Sequence, residues 1–328
     1  MSLRIVGAGA VGLALAARLA RAGQSVQLTT DRPEIARALR EKGLTAEHPA
    51  SGETFRVAVD ARAWEEPAGP PGEDPVLICT RSDAVEDVCR SLVPEKGAGV
   101  VTFQNDVVSE EAASAVIAPV FGGVWRETCT RVDENRVRFL FDRPGRAILG
   151  LHPKGKSPAA TRLAAVFETA GIRTGVSDEI GRDKWLKLCV NLMSAPNALI
   201  RRADHTSRSF AEVKIRLLEE ARAVLAAAGI ETGSCDGRDR SLDEEIEFQR
   251  RARAEGSGAR AIPLYNQVWA ALRHGGHLEA DGYHQRIIDL GREYDVAVPV
   301  NQRVLEALRA ADRAGTGPES LAADALLA

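Results

Sequence analysis

A short run, Lys184–Asn191 (KWLKLCVN), brings together residues that could do chemistry. Trp185, Leu186, Leu188, Cys189 and Val190, followed by Leu192 and Met193, would cover most of a helix's circumference. Such a helix is expected to be buried. Lys184, Lys187, Asn191 and Ser194 recur at helical spacing and define one narrow polar stripe. An ammonium on a buried helix is costly unless something uses its charge. The stripe is therefore expected to face a cleft. There a lysine could stabilise an oxygen on which negative charge develops and deliver a proton to it. Taken alone, the run also allows a plainer account, in which Lys187 snorkels to the surface and Asn191 caps a neighbouring loop.

A second constellation opens the chain. The apolar run Leu3–Val6 leads into Gly7-Ala8-Gly9-Ala10-Val11-Gly12. Leu13–Ala22, rich in Ala and Leu, reads as a helix stopped at Gly23, and Ser25–Thr30 reads as a second strand. Strand, glycine turn, helix and strand within about 30 residues form the setting that a G-x-G-x-x-G dinucleotide fingerprint requires. Gly7 permits the tight turn, Gly9 lets backbone approach a pyrophosphate, and Gly12 lets the helix pack close on the strand. The helix N-terminus then offers free N–H groups to phosphates, so residues 7–12 are expected to bind a cofactor. In NAD enzymes an acidic residue after the second strand holds the ribose hydroxyls. Here Thr30 is followed by Asp31 and Arg32. A small hydroxyl residue and a nearby arginine suit a 2′-phosphate, so NADP is expected, with Thr30 and Arg32 contributing. Asp31 leaves NAD open.

The surrounding elements must position these residues. Pro75–Thr80 reads as a buried strand, Asp83–Leu92 as a helix, and Gly99–Phe103 as a strand ending at Gln104-Asn105-Asp106. Ala113–Val124 contains a further apolar segment. Arg136–Phe141 reads as a hairpin strand running into the turn Arg143-Pro144-Gly145, and Pro67–Pro75 as a surface loop. Alternating strands and helices imply an α/β domain with a largely parallel sheet. Ligands of such sheets sit beyond the carboxyl ends of the strands, where Arg81 and Asn105 fall. From about Ser177 the pattern turns helical. Ser209 is expected to cap a helix through Ala228, stopped by Gly229. Leu242–Ala254, Pro263–Leu272, Ala280–Tyr294, Pro299–Arg313 and Pro318–Leu327 follow, and Arg238–Arg260 reads as a solvated face. The expected architecture is a Rossmann-like dinucleotide-binding domain over residues 1–177 and an all-α substrate and dimerisation domain over 178–328.

Composition narrows the function classes. The 328 residues suffice for two domains. The chain is 45% hydrophobic and 27% charged with a net charge of −3, which gives no electrostatic footprint for nucleic acid or an anionic membrane. No apolar stretch approaches the roughly 20 residues that span a bilayer. The chain enters a strand at once, so no secretory signal is expected. Its five cysteines stand at unrelated spacings, which argues for reduced thiols in the cytoplasm. His274, His277, Glu279, Asp281 and His284 crowd one segment, but Gly275 and Gly276 interrupt it and the spacing fits no zinc pattern. No metal is expected. A Schiff base on Lys187 is possible in principle but unnecessary beside a dinucleotide site. Trp269 reads as core.

With both halves placed, the chain resembles the ketopantoate reductase family (2-dehydropantoate 2-reductases) almost end to end. The resemblance rests on Gly7-Ala8-Gly9-Ala10-Val11-Gly12, Gln104-Asn105, Gly171-Ile172 and, most specifically, Trp185-Leu186-Lys187-Leu188-Cys189-Val190-Asn191, which matches that family's W-x-K-L-x-x-N. Glu279 and Asp281 stand where the family has T-E-I-D, and Pro299-Val300-Asn301 matches its P-x-N. The resemblance implies NADPH-dependent reduction of a 2-keto acid to a 2-hydroxy acid. It implies Lys187 as general acid, Asn105 and Asn191 as hydrogen-bonding partners of substrate or cofactor, and Glu279 as a contact of substrate and lysine. Arg81 stands where the family commonly has a lysine touching the cofactor phosphate.

Several positions depart from the family pattern. Ala195 replaces a second asparagine, with Asn197 two residues beyond; Asp106 replaces a glycine; Gln267 replaces a substrate-binding serine. The arginine after the second strand is displaced by one position, giving Asp31 and then Arg32. The mechanism is expected to be shared and the substrate to be 2-dehydropantoate or a related 2-keto acid, with a homodimer as one option for the assembly. Two rivals remain: a non-catalytic NADP-sensing regulator on the same scaffold, and another two-domain NAD(P)-dependent hydroxyacid dehydrogenase.

Overall fold

Strand β1 (Ser2–Val6) buries Leu3, Ile5 and Val6 because it lies inside a sheet. The helix after it, α1 (Ala10–Arg21), is so rich in Ala and Leu that it is buried on most sides, and β2 (Ser25–Thr30) follows. The computed structural model describes residues 2–66, 74–92, 99–141, 144–254 and 266–327. The chain divides into two units, Met1–Lys184 and Trp185–Ala328.

In the first unit the chain continues through α2 (Pro33–Lys42), β3 (Leu44–His48), β4 (Glu53–Val57), β5 (Asp60–Ala63) and β6 (Val76–Ile78). Next come α3 (Val85–Leu92), β7 (Val100–Thr102), α4 (Ser109–Ser114), β8 (Val120–Trp125), β9 (Cys129–Arg131) and β10 (Arg136–Phe139). Strand β11 (Gly145–Leu151), helix α5 (Pro158–Thr169) and strand β12 (Ile172–Ser177) complete the unit's sheets, and α6 (Ile180–Asn191) begins within it. Eight strands form one sheet in the order β12-β11-β8-β7-β6-β1-β2-β5. From β8 to β5 neighbours run parallel, while β11 pairs antiparallel with β8. From β1 the sheet grows to β2 on one side and to β6 on the other. That is a topological switch point, and a ligand crevice is expected at the carboxyl ends of β1 and β6.

The Rossmann-like α/β expectation is borne out, but the unit also holds a second sheet of four strands, β4-β3-β10-β9, packed on α1. Arg18 of α1 helps to hold it, donating to Glu127 and stacking over the Phe139 ring. This sheet corrects the reading of Arg136–Phe141. Strand β10 pairs antiparallel with the preceding β9 and parallel with β3, so its hairpin partner lies before it. The residues after it, from Gly145, enter the large sheet; Arg143 of the expected turn lies outside the described residues. The apolar stretch Ala113–Val124 also splits, into the end of α4 and strand β8, because Pro119 cannot continue a helix. Most of the expected loop Pro67–Pro75 lies outside the described residues.

The second unit is helical, as expected. It contains the end of α6, then α7 (Ser194–Leu199), α8 (Arg208–Ala227), α9 (Leu242–Ala254), α10 (Gln267–His274), α11 (Glu279–Glu293) and α12 (Pro299–Ala314). Residues 255–260 of the charged stretch and 263–265 of the expected helix Pro263–Leu272 lie outside the described residues. The cap of α8 is Ser207, not Ser209: its hydroxyl accepts the Phe210 N–H. The chain's last segment is not the expected helix Pro318–Leu327. Gly315 closes α12 in the left-handed region and Glu319 has a φ of +59°. The tail bonds to the end of α7 instead, through Glu319 N–H to Ala198 O and Leu321 N–H to Leu199 O, leaving only a 3-10 turn at Ala323–Leu326.

Candidate active site

The glycine turn fits a dinucleotide by its own geometry. Gly7 has a φ of +109°, and a Cβ there would meet the Cys79 carbonyl at 2.7 Å. A Cβ on Gly12 would lie 1.9 Å from the Gly7 oxygen, so the helix closes on the turn itself as much as on the strand. Gly9 differs: only the Cys79 oxygen lies within reach of a Cβ, at 3.8 Å. Packing demands Gly7 and Gly12, whereas the missing side chain of Gly9 leaves backbone open to an approaching ligand. Gly9 is also the N-cap of α1 and supplies no side-chain cap, so the first-turn N–H groups of Ala10, Val11 and Gly12 keep their capacity to bind phosphate oxygens. Ala8 is buried beneath the turn.

At the end of β2, Thr30 is buried and its hydroxyl accepts the Arg32 N–H at 3.2 Å, which shapes the turn into α2. The Arg32 side chain is partly exposed, 3.8 Å from the Asp31 carboxylate. Arg81, after β6, is exposed and pairs with Asp83 at 3.2 Å. Asn105 follows the end of β7 and is half-buried.

The sequence missed the polar network behind Asn105. Lys184 is buried, and its Nζ donates to the Gln104 carbonyl at 2.7 Å and to Glu110 at 2.5 Å. Glu110, equally buried, also accepts the Thr102 hydroxyl at 2.6 Å. The Gln104 amide in turn donates to the Ile78 and Thr80 carbonyls, tying the ends of β6 and β7. Asp106 accepts the Val108 and Ser109 N–H groups and the Ser82 hydroxyl. Burial works against ionisation of Asp106, but the Lys184 charge and these hydrogen bonds prevail and hold the carboxyl below its ordinary range. Asp106 thus has a structural use where the resemblance leads one to expect a glycine.

This network overturns the opening stripe. Lys184 is an internal strut rather than a cleft residue, and its partner lies 74 positions away in sequence. Ser194 is not on the same helix, because α6 ends at Asn191 and Ser194 begins α7, donating its hydroxyl to the Asn191 carbonyl. Lys187 and Asn191 remain on α6, both half-buried.

In the second unit Glu279 opens α11 and accepts the Tyr283 hydroxyl at 2.8 Å. Ala195 is fully buried in α7, while Gln267, the first residue of α10, is exposed. Asn197, on α7, has a buried Oδ1 with no hydrogen-bond partner among the described residues. Trp269 is half-buried rather than fully core and donates to Glu319.

The His/Asp/Glu cluster resolves into separate contacts. Asp281 takes a bidentate bond from Arg309, and His284 is fully buried with Nδ1 2.8 Å from Asn301 Oδ1. The Asn301 amide donates to Glu220, which also accepts the Val300 and Asn301 N–H groups at the start of α12. That arrangement directs Oδ1 at the imidazole, which therefore donates from Nδ1. Burial pushes the His284 pKa down to about 4 and raises that of Glu220. The P-x-N segment is thus a structural joint of α8, α11 and α12. Among the described residues no group of three or more His, Cys, Asp or Glu side chains is placed to hold a metal ion. No helix among them is long and apolar enough to cross a membrane.

Comparison with known proteins gives a consistent result. The family profile described as "Ketopantoate reductase PanE/ApbA" matches residues 3–154, and its C-terminal counterpart matches residues 179–312. A 2-dehydropantoate 2-reductase of Halobacterium salinarum is 26% identical over 321 residues, covering 96% of this chain and 100% of that protein. One from Pyrococcus abyssi is 26% identical over 310 residues, covering 92% and 94%. Among solved structures, a PanE/ApbA family ketopantoate reductase from Ralstonia eutropha superposes with a TM-score of 0.74 at 22% identity, covering 96% of this chain and 100% of that one. D-mandelate dehydrogenase with NADH and anilino(oxo)acetate superposes with a TM-score of 0.79 at 21% identity, covering 97% and 100%.

Proposed function

The chain belongs to the ketopantoate reductase PanE/ApbA family, and from that premise we propose that it is an NADPH-dependent reductase of 2-dehydropantoate or a related 2-keto acid, with Lys187 as general acid. The observation that carries the reading is the glycine turn, where Gly7 and Gly12 are required by packing and Gly9 leaves backbone exposed to a ligand. Bound nicotinamide cofactor supplies the hydride. The protein binds, orients and polarises. The N–H groups of the turn and of the first turn of α1 hold pyrophosphate oxygens. Arg32 and Arg81 add positive charge for phosphate groups, and the Asn105 amide adds a hydrogen bond. Reduction of a ketone builds charge on its oxygen. Lys187 Nζ stabilises that charge and gives up a proton to it, a role that ordinarily contributes about 10²–10⁴-fold. The Asn191 amide orients the same oxygen, and the Glu279 carboxylate holds a substrate hydroxyl and offsets the lysine's charge.

The test mixes the protein with NADPH or NADH and a panel of branched and aryl 2-keto acids and follows cofactor absorbance. Turnover that needs Lys187 is expected. No turnover with any acid, or full turnover by Lys187→Ala, overturns the reading. A second reading, an NADH-dependent hydroxyacid dehydrogenase, is favoured by Asp31 beside Thr30. Faster turnover with NADH across the panel would establish it. Tight cofactor binding without turnover would point to a sensor.

A further inference from the structure

Strand β9 brings an arginine to the nucleotide end of the first unit from a part of the chain that no fingerprint covers. Cys129 and Arg131 are two residues apart on β9 and so share one face of it. Cys129 Sγ donates to the Ala10 carbonyl at 3.5 Å, which turns that face toward the first residue of α1 and hence toward the glycine turn. Arg131 pairs in the ladder with Val137, so its backbone position is fixed by the small sheet.

Its electrostatic setting is unusual. Arg131 is half-buried, yet among the described residues its guanidinium has no hydrogen bond and no carboxylate within ion-pair distance. Burial, and then the charge of Arg32, hold it below the ordinary arginine range, while Glu134, Asp31 and Glu34 act more weakly in the opposite sense. The two guanidinium charges therefore lie near enough to repel, and the carboxylate paired with Arg32 is that of the largely exposed Asp31. Like charges brought together out of water are unfavourable unless an anion joins them, and the planar fork of each guanidinium can donate to two oxygens of a phosphate.

We propose that Arg131 and Arg32 together form the site for the 2′-phosphate of the cofactor's adenosine ribose, making Arg131 a specificity-determining residue for NADP over NAD. The inference deepens the NADPH reading above and rests on it. It also accounts for Asp31: a second arginine offsets the carboxylate that would otherwise repel the phosphate.

The experiment measures NADPH and NADH dissociation constants by nicotinamide fluorescence for the wild-type protein, Arg131→Gln, Arg131→Lys and Arg32→Gln. Thermal shifts with adenosine 2′,5′-bisphosphate and adenosine 5′-monophosphate give a readout independent of turnover. Arg131→Gln is expected to weaken NADPH about 10- to 100-fold, the range of a hydrogen bond to a charged group, and to move NADH by less than about twofold. It should abolish the extra stabilisation by the bisphosphate. Arg131→Lys keeps the charge and is expected to lose less. Without ligand, Arg131→Gln should melt no lower than wild type, since it removes an unneutralised charge. Equal weakening of both cofactors overturns the inference, as it marks a merely structural role. Unchanged NADPH affinity in Arg131→Gln, with a loss in Arg32→Gln, overturns it too and leaves the NADPH reading standing. Tighter binding of NADH than NADPH by the wild-type protein overturns that reading and the inference with it.

Discussion

Lys184 and Lys187 stand three positions apart on α6, and their surroundings differ sharply. Lys184 is sealed from solvent, with Nζ given to a carbonyl and a carboxylate of the first unit. Lys187 is half-buried on the part of α6 that belongs to the second unit. The same residue type, at a spacing that suggests one stripe, thus serves as an internal strut at one position and as the proposed proton donor at the other. The difference teaches that a buried cation marks a functional site only once its internal partners have been found. Where Glu110 answers the charge, the lysine is structural.

The largest effect expected to separate the two lysines is on rate. Lys187→Ala should lower kcat by about 10²–10⁴-fold with little change in urea-unfolding stability, as measured by steady-state kinetics beside denaturation. Lys184→Met should do the reverse at first sight, costing about 3–5 kcal/mol of stability by stranding Glu110 in the interior. The double variant Lys184→Met with Glu110→Leu should recover much of that loss. A Lys184→Met protein as stable as wild type would break the comparison.

A third probe uses a buried imidazole held neutral. His284 has a folded pKa of about 4 against an ordinary 6.5. Between those values the unfolded chain binds more protons, so stability falls as pH drops from 6.5 toward 4, by on the order of 3 kcal/mol in total. Above 6.5 the contribution is fully present. Glu220, raised by burial, acts in the opposite sense, losing stability as pH rises through its own range. Comparing the pH slope of melting temperature for wild type and His284→Gln isolates the histidine, and an unchanged slope would show that it is not held neutral. The smallest effects concern turns. Asp106→Ala should cost about 1–2 kcal/mol through lost bonds to Val108 and Ser109, and Ser207→Ala about 1 kcal/mol at the start of α8.

Much of the fold is legible along the chain. Ser25–Thr30 and Leu242–Ala254 coincide with β2 and α9, because each carries its own periodicity and end signals. The glycine turn is equally local: strand, turn and helix follow one another, and the close contact of Gly12 is with Gly7. The four-stranded sheet is not legible, since β3 finds β10 about ninety positions later and both strands are short. The tail's extended pairing with α7 is hidden for the same reason, as Pro318–Leu327 has a fair helical composition and its backbone partners lie elsewhere.

The candidate site divides along the same line. By itself the sequence determined the glycine turn, the order of an α/β unit and a helical unit, and Lys187, Asn191 and Glu279 as the residues to test. The turn, the order of units and the Lys187–Asn191 stripe depend on residue type and near-neighbour spacing, whereas Glu279 enters through the family resemblance. Only the tertiary structure decided that Lys184 is neutralised by Glu110, that Asp106 and Asn301 serve local architecture, and that Arg131, on the strand that meets α1, has no ion-pair partner among the described residues. Charge is the reason. Whether an ionised side chain is a strut or a ligand site depends on which opposite charges the fold brings within a few ångströms. For Lys184 that partner comes from a distant part of the chain, and for Arg131 no described carboxylate comes within ion-pair distance.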